Sequence, residues 1–145
     1  MSQSELHRNL VLQVAEKLKS LDPQIRVLTD VQDAPGDEVP PLINGFRPDI
    51  YVRRESNGSV IIAEAKTDDL DYQHTHEQIV SFINYLEKRE NGVLVLAATG
   101  QNADHAKTVL RFICKKTRVF KTNIMVFDTL DLWLLDSHQV TWDLY

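Results

Sequence analysis

A chain of 145 residues, 43% of them hydrophobic, is long and apolar enough for one compact domain, expected to span residues 1–145. The single cysteine, Cys114, excludes an internal disulfide and a cysteine-built zinc cluster, and a formal net charge of −5 excludes a uniformly basic nucleic-acid binder. There is no apolar run of membrane-spanning length, and the start, MSQSELHRNL, lacks the basic-then-apolar layout of a signal peptide, so a cytoplasmic protein without a membrane partner is expected.

Residues 4 to 21 place Leu10, Val11, Val14, Leu18 and Leu21 at helical spacing with Lys17 and Lys19 on the other side, which predicts an amphipathic first helix. Ile25 to Thr29 reads as a strand. Residues 32 to 47 hold Pro35, Gly36, Pro40, Pro41 and Gly45 among polar and acidic residues, the composition of a long irregular loop of the kind that often carries function. Two short runs follow, Asp49 to Arg53 and Val60 to Lys66, and the Asn57-Gly58 pair between them predicts a hairpin. A second helix, about residues 75 to 88, turns Ile79, Phe82, Ile83 and Leu86 inward and ends before Asn91-Gly92. Val93 to Ala98 is almost uniformly apolar, as a central strand covered on both faces must be.

A third helix over residues 103 to 117 points Ala106, Val109, Leu110, Ile113 and Cys114 inward, which makes Cys114 a core thiol. Asn123 to Phe127 is a further strand. Leu132 to Leu135 and Val140 to Leu144, around Ser137-His138, predict a terminal hairpin. This order predicts an α/β fold in which helices cover both faces of a mixed central sheet.

The chemistry concentrates in Arg47-Pro48-Asp49 and in Ile61-Ile62-Ala63-Glu64-Ala65-Lys66. Side chains alternate along a strand, so Glu64 and Lys66 share one face and Ala65 takes the other. A two-residue turn at Asn57-Gly58 would pair Ser56 with Ser59, and continuing that register sets Tyr51 opposite Glu64 and Asp49 opposite Lys66. Asp49 and Glu64 then lie diagonally on one face, within reach of a shared ion. With the backbone carbonyl of Ala65 they form a hard oxygen set suited to Mg²⁺ or Mn²⁺. Such an ion lowers the pKa of a bound water, and Lys66 is placed to orient that water or to stabilise charge on a phosphate.

Pro48-Asp49 followed by Glu64-Ala65-Lys66 resembles the motif of the PD-(D/E)XK nuclease superfamily, and the element order over residues 4 to 98 is similar to that family's helix, three-strand meander, helix, strand core. The resemblance implies a restriction-endonuclease-like mixed sheet, here extended by a further helix, a strand and the C-terminal hairpin. It also implies a metal-dependent endonuclease that hydrolyses phosphodiester bonds, with DNA as partner. Restriction-type endonucleases and Holliday junction resolvases share the layout.

The resemblance also brings Gln78 forward as a catalytic helper on the following helix, with Phe82 and Tyr85 standing where an aromatic often follows. A capping box at Thr75-His76-Glu77-Gln78 is the competing reading. Glu5 is the corresponding metal-ligand candidate on the first helix, although aligning the apolar residues that follow brings His7 nearer; Ser2-Gln3-Ser4-Glu5 also reads as a capping box. His74 and His76, two apart, do not share a helix face, which argues against zinc and leaves a phosphate contact at the helix N-terminus open.

Lys107, Arg111, Lys115 and Arg118 form a basic stripe with Lys116 and Lys121 nearby, six of the chain's 16 basic residues. The stripe reads either as a solvated helix face or as a patch for nucleic-acid backbone, with Arg53 and Arg54 beside the proposed site adding to it. Trp133, Leu134, Leu135 and Trp142 read either as core or as a homodimer or partner-subunit interface. The alternative to a nuclease is a catalytically silent descendant of the fold that serves as a nucleic-acid or protein interaction subunit of a larger complex.

Overall fold

Six strands form one mixed sheet in the order β1-β2-β3-β4-β5-β6, with one helix on one face and two on the other. The computed structural model describes residues 3–30, 39–54, 57–68, 70–129 and 131–135. In chain order the elements are α1 (Gln3–Leu21), β1 (Arg26–Thr29), β2 (Ile50–Arg53), β3 (Val60–Ala65), α2 (Gln73–Glu87), β4 (Val93–Ala97), α3 (Gly100–Thr117), β5 (Asn123–Phe127) and β6 (Leu132–Leu134). The α/β class with helices on both sheet faces is as the sequence predicts. The second strand of the predicted C-terminal hairpin, Val140 to Leu144, and Trp142 lie outside the described residues. Among the described residues no helix is long and apolar enough to cross a membrane.

β1, β2 and β3 form an antiparallel meander, whereas β3, β4 and β5 run parallel and are joined by α2 and α3. Both crossover helices pack on the same face, as same-handed connections between neighbouring parallel strands require. β4 is central, as its uniform apolarity predicts, and β3 is buried at all six positions. Alternation splits β3 between two cores. Ile61, Ala63 and Ala65 pack with Leu10, Val11, Val14 and Leu18 of α1. Val60 and Ile62 face Ile79, Phe82, Ile83 and Leu86 of α2. Leu21, expected on the inner stripe, is 61% exposed because it is the last residue of α1, past the sheet contact.

Two Asn-Gly pairs exchange their expected roles. Asn57-Gly58 does not make a two-residue turn: Arg54 N–H donates to Ser59 O and Gly58 N–H to Arg54 O, so it is Arg54 that stands opposite Ser59. The hairpin register is therefore Arg53 with Val60 and Tyr51 with Ile62, which corrects the expected pairing of Tyr51 with Glu64. The tight turn is at Asn44-Gly45, inside the stretch expected to be irregular. Asn44 and Gly45 both have positive φ, 52° and 84°, and Ile43 and Phe46 exchange both backbone hydrogen bonds across them. Phe46 then meets Phe82 and His74 of α2 edge-on, which fixes the segment leading into Pro48-Asp49.

A second anchoring feature carries no signal in the sequence. The carboxylate of half-buried Glu87, the last residue of α2, accepts the backbone N–H groups of Phe120, Lys121 and Thr122 and the Thr122 hydroxyl, at 2.6 to 2.9 Å. These four donors outweigh partial burial and hold its pKa below the ordinary value of 4.5. Glu87→Ala is expected to destabilise the fold by about 2 kcal/mol at pH 7 in urea titrations, since charge-assisted hydrogen bonds to three backbone groups are lost. A lowered folded pKa gives stability that is present above the ordinary glutamate value and is lost as pH falls through the folded one. Wild type and variant are thus expected to converge at acid pH.

Candidate functional site

The site sits where β2 begins and β3 ends. Asp49 directly precedes β2, Glu64 is the fifth residue of β3, and Lys66 directly follows that strand; they are 9%, 2% and 8% exposed. The observed register, continued by one residue, sets Asp49 opposite Glu64 rather than opposite Lys66. The two-residue shift preserves the alternation of faces, so Asp49, Glu64 and Lys66 still point to the α2 side of the sheet.

Backbone donors lock the two carboxylates. Asp49 N–H donates to Glu64 Oε1 at 2.8 Å, and Ala65 N–H donates to Asp49 Oδ2 at 2.8 Å. Each acid is thus held by the main chain next to the other, which fixes their relative position with little loss of side-chain freedom on binding. His7, in the first turns of α1, reaches Asp49 Oδ2 from Nε2 at 3.1 Å. Of the two α1 candidates it is His7 that contacts Asp49; Glu5 is exposed two residues away, on a different side of the helix.

Lys66 Nζ donates to Gln78 Oε1 at 2.9 Å and stands 3.5 Å from Glu64 Oε2. Gln78 therefore does not fold back as a cap. α2 starts at Gln73 with Tyr72 at the N-cap and no side-chain cap, which puts Thr75 inside the helix and turns Gln78 toward β3. Phe82, one turn on, belongs wholly to the core, and Tyr85 bonds to Tyr51 at 2.9 Å. His76 is engaged with the Leu70 carbonyl at 3.1 Å and His74 with the ring of Phe46.

Glu64 carries a large electrostatic cost. Burial first, and then the neighbouring charge of Asp49, push its carboxyl well above the ordinary value of 4.5; Lys66 and the Asp49 N–H offset only part of this. A cation between the two carboxylates would relieve both effects at once. The backbone supplies a further oxygen. Lys66 N–H donates to Ala97 O of β4, so the planar trans peptide directs the Ala65 carbonyl the opposite way, toward β2 and Asp49.

Asp49, Glu64 and the Ala65 carbonyl are the oxygens here that could hold an ion. Among the described residues no three His, Cys, Asp or Glu side chains form a ready-made metal cluster. Two carboxylates and a carbonyl fit a small hard ion that retains several waters, such as Mg²⁺ or Mn²⁺, better than one needing a full protein cage.

Not all expected site residues gather here. Arg53 and Arg54 do not stand beside the trio as the sequence predicts, because an extended strand carries Arg53 about 13 Å along from Asp49, to the opposite end of β2. There Arg54 stands 3.5 Å from Asp22. Lys107 and Arg111 of the α3 stripe flank β6, five strands from β1 in the sheet, and Lys115, further along α3, and Arg118, the residue after its end, are exposed. Cys114 is buried and its thiol is pushed up to about 12, mainly by burial, which makes it a core residue and not a nucleophile at neutral pH. Compared with known proteins, the chain matches no protein-family model, no curated protein and no solved structure.

Proposed function

We propose that the chain is a metal-dependent nuclease domain similar to the PD-(D/E)XK superfamily, hydrolysing phosphodiester bonds in DNA with Mg²⁺ or Mn²⁺. The observation that carries the reading is the convergence of Asp49, Glu64 and Lys66, all buried, with the two acids tied to each other's backbone. Such a pair of carboxylates costs stability, which is the expected signature of a site shaped for a ligand and not for folding. The order of helix, antiparallel meander, helix and parallel strand supports the restriction-endonuclease-like assignment.

In this reading Asp49, Glu64 and the Ala65 carbonyl hold the ion, which when bound supplies Lewis acidity and a water of lowered pKa. Lys66 places its ammonium against the negative charge that develops on the phosphate in the transition state. Gln78 positions Lys66 through the 2.9 Å bond and His7 positions Asp49. With a net charge of −5, tight binding by a free-standing enzyme is disfavoured, and action within a homodimer or as a partner subunit agrees better with the charge.

The reading is tested by incubating the protein with linear, supercoiled, branched and single-stranded DNA in Mg²⁺, Mn²⁺ or EDTA, beside Asp49→Ala. Cleavage of at least one substrate is expected with a divalent ion, and none in EDTA or with the variant. Inactivity on every substrate would favour the catalytically silent interaction module. Equal activity of the variant would dismiss the site.

A further inference from the structure

A groove runs between α3 and β6, the last strand of the sheet among the described residues. Lys107 and Arg111, one turn apart on α3, form one wall; Trp133 of β6 forms the other, beside Val126 and Leu135, and the space between them is about 130 Å³. Trp133 is 48% exposed, yet its ring is not free to turn. The indole N–H donates to Asp128 Oδ2 at 2.8 Å, which fixes the plane of the ring beside the groove.

Charge on the α3 side of this groove is basic, whereas the carboxylate of Asp128 stands on the Trp133 side and is engaged by the indole N–H. From residue 105 to residue 122 the chain carries six basic residues and no acidic one, although the protein's total is −5. Lys115 continues the line of Lys107 and Arg111 along α3 and is exposed. Lys107 stands 4.0 Å from Asp104, whose side chain is 97% exposed, a solvent-screened pair that a phosphate can displace. An apolar partner makes no use of the cations. An acidic protein surface makes no use of the fixed aromatic ring. A polyanion bearing flat bases uses both.

We infer that this groove binds single-stranded nucleic acid, with an unpaired base against Trp133 and the flanking phosphates on Lys107, Arg111 and Lys115. A single strand is required because base faces are hidden within a duplex and only an unstacked base can lie on an aromatic ring. The groove is also in line with the candidate site. Glu64, Leu96, Val126 and Trp133 occupy one row across the sheet, so three strand spacings, about 14 Å, separate Glu64 from Trp133. Binding in the groove needs no divalent ion and stands apart from the proposed cleavage.

The test is fluorescence anisotropy of a labelled oligothymidylate of about 12 nucleotides, in EDTA, at salt concentrations from 50 to 200 mM chosen to expose counterion release. Wild type is expected to prefer the single strand to a duplex of equal length. Trp133→Ala is expected to weaken binding roughly tenfold or more, and Trp133→Phe to retain most of it. The double variant Lys107→Ala with Arg111→Ala is expected to flatten the salt dependence, by about 0.7 in log–log slope for each phosphate it no longer neutralises. If circular dichroism shows that Trp133→Ala is misfolded, this α3 pair decides. Wild-type affinity in Trp133→Ala, a preference for duplex, no binding, or salt-independent self-association through the groove would each overturn the inference. Because divalent ions are absent throughout, an inactive cleavage site does not alter the outcome.

Discussion

Lys66→Met is expected to lower the cleavage rate by about 10² to 10³-fold, the usual loss when one preorganised electrostatic stabiliser is removed from a buried site. Methionine keeps the apolar stem and so leaves the packing between β3 and α2 in place, while the ammonium that Gln78 and Glu64 hold is gone. The loss should appear in kcat and not in KM, because the charge it stabilises develops only in the transition state. Thermal stability without metal should fall as well, since Glu64 and Gln78 lose their buried cationic partner, so cleavage is compared at a temperature where both proteins are folded. A variant that cleaves as fast as wild type, or one that merely raises KM, would remove Lys66 from the chemistry and leave it as a structural partner of Glu64.

The second large effect concerns Glu64 and reads stability directly. Its folded pKa is raised, by burial first and by Asp49 second. The folded protein therefore binds the Glu64 proton more tightly than the unfolded chain does. The corresponding stability is fully present below the ordinary glutamate value of 4.5 and is lost as pH rises through the folded pKa. Glu64→Gln cannot titrate, so it should lose less stability than wild type between acid and mildly alkaline pH, and should melt above wild type at pH 8 without metal.

Metal reverses the order. An ion that binds only the folded wild type adds about 2.7 kcal/mol at one hundred times its Kd, roughly 5 to 10 °C for a domain of this size. Glu64→Gln should gain much less. Thermal melts at several pH values, with EDTA or with Mn²⁺, give both results; parallel pH profiles and equal metal shifts would mean that Glu64 is neither strained nor a ligand.

Local pattern makes most of the fold legible in the sequence. β5 has the predicted bounds, β4 is central, and α2 and α3 bury the predicted faces, because apolar periodicity reports burial whatever the partner is. The convergence of Asp49, Glu64 and Lys66 is legible for a related reason. Strand alternation fixes a face, and the pairing of Arg54 with Ser59 shifts the register by two, an even number. Only the pairing changes, from Asp49 opposite Lys66 to Asp49 opposite Glu64.

Contacts between distant elements are not legible. The choice between His7 and Glu5 depends on the rotation of α1 over the sheet, and the choice between capping and catalysis at Gln78 depends on where α2 starts. The Glu87 clasp joins groups 33 to 35 residues apart with no motif in either. Arg53 is near Asp49 in sequence but at the other end of an extended strand, which only the rise per residue reveals. Asn44-Gly45 and Asn57-Gly58 are identical dipeptides; the exchange of hydrogen bonds by Ile43 and Phe46 makes the first the tight turn.

The central claim, that Asp49, Glu64 and Lys66 form a metal-dependent phosphodiesterase site, is tested most directly by single-turnover cleavage of DNA with Mn²⁺ by wild type and Lys66→Met in parallel, with Mn²⁺ binding measured on the same samples. Both proteins are expected to bind Mn²⁺, and only wild type is expected to cleave at an appreciable rate. Equal cleavage by both proteins, or no Mn²⁺ binding by wild type, would contradict the claim.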